Sequence, residues 1–240
     1  MSLVKLPFLF AGTLATYTCL TPPHPAVPHS ERPKDVVLAE RIFSAIARVY
    51  TGGLKLLICS GSVIEMVVII ANKFSSHPIA QQILHNAVPG SISLVNRIGL
   101  SPMFLAGCGC GVVGGFIRYQ CYRTLGRLFT YEISIRDNHQ LITTGPYAWV
   151  RHPSYSGGFI CCVGMGLCYA SQGSYLKECG ILDTTAGKVA SVLYAAMIFY
   201  GTASLVVRAP QEDAMLRKEF GAEWDEWAKK VPYRMIPYVY

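Results

Sequence analysis

Charge is scarce in this chain. Asp, Glu, Lys and Arg make up 15% of its 240 residues, where a soluble domain carries about 25%. Hydrophobic residues reach 52% and mean hydropathy is +0.35. This balance excludes an ordinary water-soluble domain and predicts an all-α, polytopic integral membrane protein. Runs of Lys and Arg are also missing, which excludes a nucleic-acid patch; the net charge of +7 is spread over connecting segments and fits orientation against anionic lipid, making the bilayer itself the first expected partner. Metal-ligand spacing is absent as well. Cys108-Gly-Cys110 and Cys161-Cys162 lack the separation and the His partners of a structural zinc site. The nine cysteines, odd in number and mostly inside apolar runs, cannot all pair, so buried thiols are expected, with neither a metal nor a disulfide framework. A basic leader is lacking too: Lys5 alone precedes the apolar stretch to Leu20, which reads as a membrane span in preference to a signal peptide.

What is present is a series of five apolar segments, at about 3–20, 54–71, 100–117, 157–172 and 188–207, each judged against the roughly 20 residues needed to cross a bilayer. Segment 21–34 is proline-dense and reads as an exposed connector. Residues 35–53 put Val37, Ile42, Ala45, Ile46 and Val49 on one helical face opposite Glu40, Arg41, Ser44 and Arg48, an amphipathic helix on the membrane surface or running into the second span. Glu65, inside that span, is costly in lipid and is expected to face a protein interior or a wet site. Glycines 107, 109, 111, 114 and 115 thin the third span for close helix approach. Most of the 21 Lys and Arg fall in 21–53, 118–156 and 208–240, which places these segments on the cytoplasmic side.

Two polar pieces, both on that side, carry the chemistry. In the first, Gly145-Pro146 signals a turn, Tyr147, Trp149 and Tyr155 form an interfacial aromatic cluster, and Arg151-His152 stand before Pro153. Proline at a first helical turn leaves N–H groups facing that pair, the makings of an anion site. In the second, Arg208 and Glu212 share a helix face at i,i+4. Leu216, Phe220, Trp224 and Trp227 then form an apolar stripe on an amphipathic helix ending before Pro232, read as packing alone.

The string LITTGPYAWVRHPSYSG from Leu141, followed some fifty residues later by RAPQEDAMLRKEFGAEWDEWAKKVPYRMIP from Arg208, resembles the isoprenylcysteine carboxyl methyltransferase family from about Arg118 onward. The resemblance implies a multi-pass enzyme of the endoplasmic reticulum membrane, its active site facing the cytosol, that methylates the C-terminal carboxylate of farnesyl- or geranylgeranyl-cysteine proteins with S-adenosyl-L-methionine. It implies cofactor-binding positions at His139, Gln140, Leu141 and Ile142, at Tyr147, at His152, Pro153, Ser154 and Tyr155, and at Glu212. Arg208 would take the substrate carboxylate, and Arg208 and Arg118 would be the catalytic positions. The chain would divide into membrane helices over 1–117 and a catalytic region over 118–240. Tyr131 stands where the family has His, and Pro210-Gln211 and Asp213 stand where glutamates are common.

The residue chemistry agrees. His152 with the helix start at Pro153 suits the cofactor carboxylate, Glu212 its ammonium, and Tyr147 and Tyr155 its adenine or sulfonium. A prenyl chain would arrive sideways from lipid, past the Gly-rich third span. Rival readings are a phospholipid N-methyltransferase, which shares the cofactor motifs, and a sterol reductase, which shares R-H-P-x-Y-x-G but follows that glycine with an acidic residue where this chain has Gly158. A membrane scaffold with an amphipathic tail would leave the paired polar pieces without a role.

Overall fold

The computed structural model of the chain describes residues 2–28, 38–132 and 139–240. Residues 29–34 of the proline-dense connector, and 35–37 at the start of the expected amphipathic helix, lie outside the described residues. After a 3-10 turn, α1 runs Leu6–Leu20, α2 Leu38–Lys73, α3 Pro78–Ala87, α4 Pro102–Leu125, α5 Pro153–Ala170, α6 Tyr175–Glu178, α7 Thr185–Phe220 and α8 Ala222–Lys230. No strand occurs among the described residues.

Helix starts follow local chemistry. Ser101 accepts from the Phe104 amide at 3.3 Å with Pro102 at the first position of α4, and Thr184 accepts from the Gly187 amide at 3.0 Å to open α7. The surface helix expected over 35–53 is continuous with the second span as the 36-residue α2, about 54 Å long at 1.5 Å per residue. Position 117/118, where the sequence suggests a division, lies inside α4.

Four helices among the described residues are long and apolar enough to cross a membrane: Leu3–Leu20, Glu40–Lys73, Pro102–Leu128 and Thr185–Phe220. The other expected span, α5, has 18 residues and a polar first turn and is not among them. It is fastened to α4 backbone to backbone. A Cβ on Gly114 would stand 2.4 Å from the Cys161 amide nitrogen, and one on Gly164 would stand 2.6 Å from the Gly107 carbonyl oxygen. Gly115 meets Ala15 of α1 in the same way. Gly107, Gly111, Gly114 and Gly115 of the third span thus face packed neighbours, whereas an added Cβ on Gly109 would meet nothing within 4 Å.

At one end of the bundle Glu65 does face a protein interior: its Oε1 lies 2.5 Å from Lys5 Nζ, which also donates to the Gly173 carbonyl at 2.7 Å, and both side chains are buried. At the opposite end meet the C-terminus of α1, the start of α2, the end of α4, the start of α5 and the middle of α7. A second apolar cluster, including Phe43, Tyr147, Trp224 and Trp227, packs there. α7 does not end at Arg208, as the expected span at 188–207 implied. It runs through Pro210, which has no N–H to offer the Val206 carbonyl one turn back. The break comes at Gly221, whose φ of +53° suits glycine alone. The expected single amphipathic tail helix is thus split into the end of α7 and a separate α8.

Candidate functional site

The site is built around the continuation of α7 beyond its apolar part. Arg208 is 4% exposed. Its NH1 donates to the Tyr131 carbonyl at 2.7 Å and lies 3.2 Å from Glu40 Oε1 on α2. Glu40 is in turn held by the Ser44 hydroxyl at 2.6 Å. The Arg208 Nε is buried without a hydrogen-bond partner; Glu212 Oε2, one turn on, is 3.9 Å away, too far for a hydrogen bond.

The Arg151-His152 corner packs against the same stretch. Proline at the first position of α5 lets His152 occupy the cap position. The His152 Nε2 is 3.1 Å from Asp213 Oδ1, its Nδ1 is 3.8 Å from Glu212 Oε2, and its ring stacks on Tyr155 at 5.2 Å between centroids. The Tyr155 hydroxyl donates to Glu212 Oε2 at 2.5 Å. Arg151 reaches Asp213 Oδ2 at 3.2 Å; burial pulls its guanidinium below the ordinary value, and the Asp213 carboxylate opposes that shift. The C-terminal segment straps the corner down: the Arg151 amide donates to the Tyr233 carbonyl at 3.0 Å, and the His152 amide donates to the Arg234 carbonyl at 2.7 Å. At the expected anion site, then, carboxylates stand near both imidazole nitrogens.

Two cavities share one wall here. The polar one is lined by His139, Gln140, Leu141, Ile142, Tyr147, His152, Ser154, Tyr155 and Glu212, among others. The structure thus brings all the sequence-selected cofactor positions to one chamber except Pro153, which is buried in the first turn of α5. Burial holds His139 below the ordinary histidine value and pushes Tyr147 well above the ordinary phenol value, so both face this space uncharged at neutral pH. The apolar cavity is lined by Phe43, Tyr50, Leu54, Phe159, Cys162 and Leu205 among others. Arg208, Tyr155, Ser154, Phe129 and Thr130 line both.

Arg118 also borders the apolar cavity, but its donors are engaged. Nε donates to the Cys19 carbonyl at 2.6 Å, and NH1 donates to the Ser154 carbonyl at 2.9 Å and hydroxyl at 2.8 Å. It fastens α1 and the first turn of α5 to α4. Sequence reasoning missed Glu40, the Tyr131 carbonyl, Arg234 and the ion-pairing of Asp213. Glu40 precedes Arg208 by 168 residues and carried no local signal. Trp227, read as packing alone, lines the polar cavity and donates to the Tyr147 carbonyl at 3.2 Å.

Fold and site together define a helical membrane protein with a polar chamber and an apolar chamber joined at a buried arginine. Residues 107–174 match the isoprenylcysteine carboxyl methyltransferase (ICMT) family, which bears out the resemblance carried by the motifs. A probable protein-S-isoprenylcysteine O-methyltransferase of Oryza sativa subsp. indica is 35% identical over 130 residues, 53% of this chain and 58% of that protein. Protein-S-isoprenylcysteine O-methyltransferase B of Arabidopsis thaliana is 30% identical over 130 residues, 53% of this chain and 56% of that protein. A Delta(14)-sterol reductase of Mus musculus is 33% identical over 108 residues, 45% of this chain and 22% of that protein. The chain spans under three fifths of the length of these methyltransferases.

Proposed function

We propose that this protein methylates the C-terminal carboxylate of prenylated cysteine, with S-adenosyl-L-methionine as donor, in the endoplasmic reticulum membrane with its site facing the cytosol. The observation that carries the reading is Arg208: a buried guanidinium on the wall between a polar and an apolar chamber, with one N–H left without a partner. A reaction joining a polar reagent to the carboxylate of a lipid-bearing substrate needs a cation at such a wall.

The residues suit both ligands. Leu141, Ile142 and Tyr147 offer flat apolar surface for an adenine, and the half-exposed Glu212 offers a carboxylate for an ammonium. When bound, S-adenosyl-L-methionine supplies an electrophilic methyl group. Glu40 and the Tyr131 carbonyl hold the Arg208 head so that its remaining donors point one way. A chain-terminal carboxylate has a reference pKa of about 3.3–3.7 and is already ionised at neutral pH, so this site needs no general base. Its work is orientation and exclusion of water, supplied by Arg208 and by the apolar walls of Phe43 and Phe129.

The prenyl chain would occupy the apolar cavity, which Phe159, Ile198 and Thr202 connect to a larger groove of about 1630 Å³ between α2, α5 and α7. That groove would serve as a lateral opening toward lipid. The sterol-reductase resemblance shares the corner motif. At Gly158, however, an acidic side chain would begin 3.5 Å from Arg118 NH1, a donor that Ser154 already uses. Purified protein in lipid nanodiscs should transfer labelled methyl from S-adenosyl-L-methionine to N-acetyl-S-farnesylcysteine, and not to phosphatidylethanolamine. Methylation of the phospholipid alone would overturn the assignment, as would reduction of an unsaturated sterol with no methyl transfer.

A further inference from the structure

Asp213 is absent from every sequence-selected site position, yet it is the most heavily engaged carboxylate at this end of the molecule. It is 4% exposed and does not line the polar chamber. Its Oδ2 lies 3.2 Å from the Arg151 NH2 and 3.0 Å from the Arg234 Nε, and its Oδ1 lies 3.1 Å from His152 Nε2. Between two guanidinium groups this side chain is ionised and has only acceptors to offer. The proton between Oδ1 and Nε2 therefore belongs to the imidazole. The ring stacks on Tyr155, and the His152 amide donates to the Arg234 carbonyl, so both ring and backbone are held at this corner.

We propose that Asp213, clamped by Arg151 and Arg234, is a positioning residue that fixes His152 in the Nε2–H tautomer and turns Nδ1 toward the chamber as an acceptor beside Glu212. The corner of His152 and Glu212 then recognises a cationic amine, the reverse of the anion site that the Arg-His-Pro sequence suggests. This rests on the proposed function in one respect: the amine is that of the nucleoside amino acid. The residue pair Glu212-Asp213 works as one unit, the first carboxylate reaching the ligand and the second reaching it through the imidazole.

Histidine-selective 15N NMR of the full-length protein in detergent at pH 8 tests the positioning, with His152→Gln to assign the resonance. Wild type is expected to show His152 as the Nε2–H tautomer. Asp213→Ala should lose that preference, as should Arg234→Gln in part, while Arg234→Lys should retain it. An Nδ1–H tautomer in wild type, or an unchanged pattern in a folded Asp213→Ala, overturns the proposal. Should Asp213→Ala not fold, Arg234→Gln decides it, an unchanged pattern there overturning the proposal.

Recognition of the amine is read by calorimetry with S-adenosylhomocysteine and with its analogue lacking the amino group. Asp213→Ala should weaken the first about tenfold and leave the second unchanged. Equal weakening of both, or of neither, overturns the amine assignment. A protein that shows the expected tautomer and binds neither nucleoside would sink the proposed function while leaving the positioning role standing.

Discussion

Arg208 on α7 and Glu40 on α2 meet at 3.2 Å, both almost fully buried, and this contact holds the one arginine among the described residues that lines both cavities. The pair adds to other contacts between these helices, among them the Tyr50 hydroxyl donating to the Met197 carbonyl at 2.6 Å. A buried charge deprived of its partner costs about 3–5 kcal/mol, so Glu40 and Arg208 serve stability and orientation together.

Arg208→Ala should abolish turnover of a prenylcysteine while leaving donor affinity within about threefold. Glu212→Ala and His152→Ala should weaken donor binding about tenfold or more, the scale of one charge-assisted hydrogen bond of about 1.5–3 kcal/mol. Calorimetric titration of the three variants with S-adenosylhomocysteine checks the division; equal affinities in all of them would refute it.

The Lys5–Glu65 pair lies at the opposite end and should govern stability alone. Lys5→Met strands a carboxylate that is 1% exposed and should destabilise by about 3–5 kcal/mol, whereas Lys5→Met combined with Glu65→Leu should recover most of that loss. Thermal denaturation in detergent measures both. Donor affinity of the folded fraction should be unchanged throughout.

Gly114→Ala or Gly164→Ala should fail to pack, because the added methyl meets backbone atoms at 2.4 and 2.6 Å that cannot yield without parting α4 from α5; a loss of about 1–3 kcal/mol or more is expected. Gly109→Ala, with nothing within 4 Å of its new Cβ, should be neutral. Comparable melting temperatures for the three variants would mean that the seam is not as close as described.

His139 gives a pH signature. Burial lowers its basicity, Glu219 and Glu212 pull the other way, and Arg127 adds to the lowering. The folded state thus binds its proton less readily than the unfolded chain. Its contribution to stability is intact above the unfolded value of about 6.5 and is lost as pH falls from there toward the folded value. The melting temperature of the wild type should therefore drop more steeply between pH 7 and 5 than that of His139→Gln; parallel curves would exclude this origin.

The amino-acid sequence by itself determined the class of fold and the two polar pieces, because scarce charge, apolar run length and the Arg-His-Pro and Arg/Glu motifs are local properties that survive in one dimension. It also determined that Glu65 must find a partner, since the cost of a carboxylate in lipid does not depend on the fold. Only the tertiary structure decided which charges meet. Glu40 pairs with Arg208, and Lys5 with Glu65, across sequence separations that no spacing rule reports. The surroundings of His152 were decided there too, with Asp213 Oδ1 at 3.1 Å from its Nε2 and Glu212 Oε2 at 3.8 Å from its Nδ1. The course of α7 through Pro210 was likewise decided in three dimensions, where the packing of its continuation against the corner outweighs the local cost of proline.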